Sequence, residues 1–220
     1  MKQQTHQTIA LLKAALFLAC LLPFARLAGL ALTDSFGPDP VADIQRATGI
    51  WALRLLLLMF ALTPLKRWTG WHWLVRLRRT VALYAFFYAC LHFLAYLVFD
   101  HGFDWPEIAQ DVFRRPYAVA GLFSFVLMVP LALTSSNAMM KRLGGRNWRN
   151  LHRLAYLIAA AAVLHYFWLV KKDITLPSYY ALALAGLFLV RLLERPRKAP
   201  LPACLDKTNG SGGMDTSVPG

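Results

Sequence analysis

Six apolar runs separated by short polar connections leave this chain few folds to choose from. They cover residues 9–32, 50–65, 80–99, 118–133, 154–170 and 179–193. A helix that crosses a bilayer needs about 20 apolar residues. The shorter runs are flanked by Trp and Tyr, which suit headgroup depth. Backbone groups in hydrocarbon must find partners within their own segment, so such runs become helices. With 58% hydrophobic and 16% charged residues, the chain is more apolar than soluble domains are. The expectation is an all-α integral membrane bundle of six transmembrane helices over 9–193. A short N-terminal segment (1–8) precedes it, and a flexible tail (194–220) rich in Gly, Ser and Pro follows. No soluble catalytic domain fits in what remains. The first run carries Lys13 and Arg26 and exceeds a leader's apolar region, so it reads as a retained helix.

Charge placement gives an orientation. The connection after the second run holds Lys66, Arg67, Arg76, Arg78 and Arg79, and the one after the fourth holds Lys141, Arg142, Arg146, Arg149 and Arg153, neither with an acid. Asp34, Asp39, Asp43, Asp100, Asp104, Glu107, Asp111 and Asp173 fall in the other three. The Lys/Arg bias puts the two basic connections and both termini in the cytoplasm. The net charge of +13 is then a topology signal and an attraction for anionic lipid, with no nucleic-acid role. Cys20 and Cys90 lie inside runs and Cys204 in the tail; no CxxC pattern points to metal or redox chemistry.

Histidines within or beside the apolar runs stand out, because an ionisable or ligating side chain in a membrane is costly and marks function. His92 lies in the third run, His165 in the fifth, and His152 at the fifth's cytoplasmic start. The third and fifth helices run in the same direction, which brings His92 and His165 to one level. Two imidazoles so placed can clamp a haem iron from both sides, and bis-imidazole ligation suits electron transfer rather than oxygen activation. Ala85, Ala89, Ala95 and Ala159 to Ala162 leave room for a flat macrocycle, or simply let helices pack closely. His6, His72 and His101 lie outside the runs and are not expected to be ligands.

His152 and His165 are read as sharing one helix. Opposite His152, fourteen residues before His92, stands Arg78. Arginine is a poor iron ligand, but its fork suits a haem propionate or a flavin phosphate. The inner level therefore offers either a second haem on His152 with another partner, or a flavin or quinone site.

The ordered motifs then carry a resemblance. They are Leu21-Leu22-Pro23-Phe24, Asp39-Pro40-Val41 with Asp43-Ile44-Gln45 and Thr48-Gly49, Thr63-Pro64-Leu65, and Arg76 to Arg79. Leu91-His92, Arg115-Pro116-Tyr117, Leu133-Thr134-Ser135 with Ala138-Met139, Leu151-His152, and His165-Tyr166 with Trp168 and Lys171 complete the set. From about residue 21 to 193 the chain resembles the MsrQ family of haem-binding membrane subunits, within the ferric-reductase-like transmembrane group.

The resemblance implies a multi-pass b-type cytochrome of the bacterial inner membrane. Such a subunit takes electrons from quinol, or from a cytoplasmic flavin reductase, and passes them to a periplasmic molybdenum-containing methionine-sulfoxide reductase subunit that repairs oxidised proteins. It is then a non-catalytic subunit of an oxidoreductase heterodimer. The implied cofactors are haem b, one or two, and FMN, although no GxGxxG loop accompanies the latter. Larger members of the group use four histidines for two haems; Arg78 stands here in place of one. Electrons are expected to enter near Arg78 and His152 and leave through His92 and His165, with the acceptor docking over Asp100, Asp104, Glu107 and Asp111. Two rivals stay open: an electron carrier or ferric reductase with another acceptor, and a haem-free transporter or scaffold.

Overall fold

The computed structural model describes residues 2–170 and 172–193, with side chains from Leu11 onward. Lys171, Cys204 and the tail expected at 194–220 lie outside the described residues. Every regular element among the described residues is helical. In chain order they are α1 (Lys2–Leu32), α2 (Pro40–Thr69), α3 (Leu74–Ala95) with a π-helical turn (Tyr96–Asp100), and α4 (Trp105–Arg114). Then follow α5 (Pro116–Leu133), α6 (Asn137–Leu143), α7 (Gly145–His152), α8 (Leu154–Leu169) and α9 (Thr175–Leu193). The protein is an all-α membrane bundle. Five helices are long and apolar enough to cross a bilayer: α1, α2, α3 with its π turn, α5 and α9. The remaining apolar run, α8, has 16 residues. At 1.5 Å per residue it reaches roughly 24 Å, short of a ~30 Å hydrocarbon core. Leu22, Leu182 and Leu192 are exposed, as lipid-facing side chains are.

Helix starts follow local chemistry. Asp39 accepts a hydrogen bond from the Ala42 N–H (3.0 Å) and caps α2, whose first turn holds Pro40. Asp104 caps α4 through the Glu107 N–H (3.1 Å), and Ser136 caps α6 through the Met139 N–H (3.1 Å). α2 ends at Gly70, whose φ of 74° only glycine adopts at little cost. These caps turn two connections into helix: α4 fills the one before α5, and α6 with α7 fills the one before α8.

Two helix pairs form the frame. α2 packs along α3 and α5 along α8, while α9 rests on α8 and α2 and α1 on α3. Prolines inside α1 and α2 are compensated by distant side chains. Near Pro23 in α1, the buried Tyr88 hydroxyl donates to the Cys20 carbonyl (2.8 Å) and accepts from the Phe24 N–H (3.0 Å). It stands between a donor and an acceptor four residues apart, which ordinarily meet directly. In α2, Pro64 has no N–H for the Phe60 carbonyl. Arg191 of α9 donates to that carbonyl (3.0 Å) and to the Thr63 hydroxyl (2.9 Å). Its other fork nitrogen donates to the Tyr156 hydroxyl (2.7 Å), and its plane lies over the Phe60 ring at 4.9 Å. Neighbouring helices thus satisfy the backbone groups that proline disturbs.

Candidate haem site

His92 stands near the end of α3 and His165 near the end of α8, and the two helix pairs bring their rings together. The centroids are 6.1 Å apart, with planes inclined at 77°. Each imidazole is held in the same way. His92 Nδ1 lies 3.0 Å from the Gln45 carbonyl on α2, and His165 Nδ1 lies 2.6 Å from the Tyr117 carbonyl on α5. A carbonyl only accepts, so each Nδ1 carries the proton and each Nε2 keeps a free lone pair. Metal-binding histidines usually donate their other ring N–H to a carbonyl or carboxylate in this way.

A glycine one helical turn after each carbonyl makes room for the ring. A Cβ on Gly49 would lie 3.1 Å from His92, and one on Gly121 would lie 2.7 Å from His165 Nδ1. The device therefore occurs twice: carbonyl, glycine four residues on, and an imidazole from the paired helix 47 or 48 residues away from the carbonyl. Gly49 formed part of a motif in the sequence; Gly121 did not stand out there. Its signal was a lone glycine inside an apolar helix, at a cost of about 1 kcal/mol against Ala.

The donor set discriminates between metal groups. Among the described residues no cluster of three or more His, Cys, Asp or Glu could hold a bare metal ion. Two imidazoles alone suit a metal whose other positions are already filled. Two metal–nitrogen bonds of about 2 Å, plus roughly 1 Å from each nitrogen to its ring centre, separate the centroids of an axial pair by about 6 Å. The observed spacing fits a haem.

The alanines expected to make space divide. Ala85 and Ala159 are fully buried in the hydrophobic core and serve helix packing, whereas Ala160 is exposed on the outside.

His152 requires a correction. It does not share a helix with His165: α7 ends at His152, Arg153 interrupts the run, and α8 starts at Leu154. Bonds of i to i−3 type, Arg153 N–H to Asn150 and Tyr156 N–H to Arg153, tighten the chain there. His152 Nδ1 lies 3.1 Å from the Trp148 carbonyl, and its ring stacks on the Trp148 indole at 4.0 Å. Burial holds this imidazole below its usual pKa; the Trp148 carbonyl opposes that, and the positive charge of Arg78 adds to it. Arg78 is half-buried and donates from Nε to Met59 Sδ (3.1 Å). His152 and Arg78 thus lie within electrostatic reach at the α6–α7 end, while His92 and His165 meet toward the α4 end. Arg191, which sequence reading passed over, joins that inner end and is near enough for its charge to act on Arg78.

Comparison with known proteins gives the chain its family. The family model described as "Ferric reductase like transmembrane component" matches residues 48–163. A Herminiimonas arsenicoxydans protein named protein-methionine-sulfoxide reductase heme-binding subunit MsrQ is 50% identical over 186 residues, 84% of this chain and 85% of its own. Proteins of the same name from Azospira oryzae and Ralstonia nicotianae are 46% and 44% identical, across 89% and 84% of this chain and 84% and 87% of theirs. With its apolar helices, this places the chain among multi-pass proteins of the bacterial inner membrane. The chain belongs to the ferric-reductase-like transmembrane family and, within it, to the MsrQ group that these relatives represent.

Proposed function

We propose that this chain is a b-type cytochrome that carries electrons across the inner membrane to a methionine-sulfoxide reductase catalytic subunit. The observation that carries the reading is the facing pair His92 and His165, each with Nδ1 tied to a backbone carbonyl and Nε2 free. The relatives' printed name, a heme-binding subunit of protein-methionine-sulfoxide reductase, supports both the cofactor and the kind of partner. When bound, haem b supplies reversible one-electron chemistry.

The protein's own residues do the positioning. Gln45 and Tyr117 hold the two imidazoles in one tautomer, and Gly49 and Gly121 leave room for the rings against α2 and α5. Arg78 makes the inner end cationic, and with His152 beside it that end suits a propionate, the phosphate of an FMN, or a second haem on His152. Both basic connections face the cytoplasm on the positive-inside rule, which puts the α4 end in the periplasm; with α8 crossing as the sixth span, both termini are cytoplasmic too. Electrons then enter from quinol or a cytoplasmic flavin reductase at the Arg78 end and leave near α4 to a periplasmic molybdenum-containing partner.

A dithionite-reduced spectrum of the purified protein tests the cofactor, with a sharp α band expected. A colourless protein, expressed with ample porphyrin, would end the proposal. Reconstitution with the sulfoxide reductase tests the acceptor, and failure to reduce it in a protein that keeps its α band would move the assignment to another acceptor.

A further inference from the structure

A polar cluster at the α4 end holds the side chains of both residues whose carbonyls anchor the imidazoles. On one side, the Gln45 residue whose carbonyl holds His92 donates through Nε2 to Asp100 Oδ2 (3.0 Å). On the other, the Tyr117 residue whose carbonyl holds His165 accepts at its hydroxyl from Arg115 (2.8 Å). Arg115 Nε in turn meets Asp111 Oδ1 at 2.8 Å, and Asp111 Oδ2 accepts from the Tyr96 hydroxyl (3.0 Å). His101 sits between these arms, next to Asp100 in sequence and edge-on to Tyr96 at 4.7 Å. Its Nε2 lies 3.6 Å from Asp111 and its Nδ1 3.8 Å from Glu107.

Two features separate this cluster from an ordinary solvated loop. The His101 and Asp111 side chains are only 9% and 11% exposed, so the imidazole and the carboxylate are turned inward. His101 Nδ1 is buried with no hydrogen-bond partner among the described residues. The π-helical turn Tyr96–Asp100 brings Tyr96 and Asp100 both into the cluster, and such turns recur at functional sites.

We infer that His101 is a proton-binding site coupled to the oxidation state of the group that His92 and His165 hold. The inference rests on the haem reading above. An imidazole nitrogen can take up a proton, and Asp111, Glu107 and Asp100 supply negative charge around it, with Arg115 as the opposing cation and Tyr96 as a neutral donor. With a haem held between His92 and His165, one electron taken up from an external reductant would be matched by a proton from the adjoining aqueous phase on His101 Nδ1. No bond breaks. The coupling is reciprocal: each electron added raises the proton affinity of His101 by the factor by which its proton raises the electron affinity.

The test is a redox titration of the haem-loaded full-length protein in detergent at several pH values. The wild-type potential is expected to fall as pH rises. The ceiling is tenfold in the electron equilibrium per pH unit, about 59 mV for one electron. His101→Gln loses that slope while keeping the α band. Glu107→Gln, at a side chain 62% exposed, removes a negative charge beside His101 and shifts the inflection to lower pH without disturbing packing. A flat wild-type profile, an undiminished slope in His101→Gln, or an unmoved inflection in Glu107→Gln overturns the inference. A wild-type protein with no α band instead overturns the haem reading beneath it.

Discussion

The His165 imidazole occupies the place where a side chain on Gly121 would stand, with only 2.7 Å between its Nδ1 and the position of an added Cβ. The 2.6 Å bond from that nitrogen to the Tyr117 carbonyl depends on this gap. Gly121→Ala is therefore expected to push the ring off its anchor and sharply lower haem content. The helix itself gains about 1 kcal/mol from the exchange. Set against the lost Tyr117 bond, worth about 0.5–1.5 kcal/mol, this gain should leave the melting of the apoprotein near that of wild type, measured by thermal unfolding beside the haem-to-protein ratio.

Gly49→Ala tests the twin cradle. The added Cβ would meet His92 at 3.1 Å rather than 2.7 Å, a contact that a small ring tilt relieves. The expected outcome is retained haem with a changed low-temperature spectrum or ligand-field signal, milder than in Gly121→Ala. Equal loss of haem in both variants would contradict the difference in clearance.

Loss of either imidazole should abolish the reduced α band, while His72→Ala should keep it. His152→Ala separates the readings of the inner end. If His152 holds a second haem, the haem count per chain falls from two to one; if it lines a flavin or quinol site, haem stays constant. Haem and flavin counts on purified protein decide between them.

Tyr88→Phe tests how α1 is fastened. It leaves the Cys20 carbonyl and the Phe24 N–H without their shared partner beside Pro23, in a site that is 0% exposed at Tyr88. The expected destabilisation is about 1–3 kcal/mol. It should appear as earlier thermal unfolding in detergent, with the haem band unchanged at lower temperature.

Arg191→Met should cost stability where α9 meets α2. It removes the donor that reaches the Phe60 carbonyl freed by Pro64, along with bonds to Thr63 and Tyr156. Hydrogen bonds to a charged group are worth about 1.5–3 kcal/mol each, partly recovered here by the apolar stacking that Met retains. Replacing Pro64 by Ala in the same background restores an N–H for Phe60 and should recover part of the loss.

The sequence by itself determined the membrane class, the apolar runs and the two histidines that share a level. These follow from local composition and from helix rise, which need no knowledge of neighbours. Asp39, Asp104 and Ser136 caps were likewise local, though reading their connections as plain loops overlooked α4, α6 and α7. Only the tertiary structure decided what the runs do to one another. Gln45 and His92 are 47 residues apart, Tyr88 and Cys20 68, and Arg191 and Phe60 131. No periodicity within one helix encodes such meetings, because they depend on which face of each helix turns toward which neighbour. The break at Arg153 escaped notice for a related reason: every residue around it tolerates a helix, and the interruption appears only as a change of hydrogen-bond register.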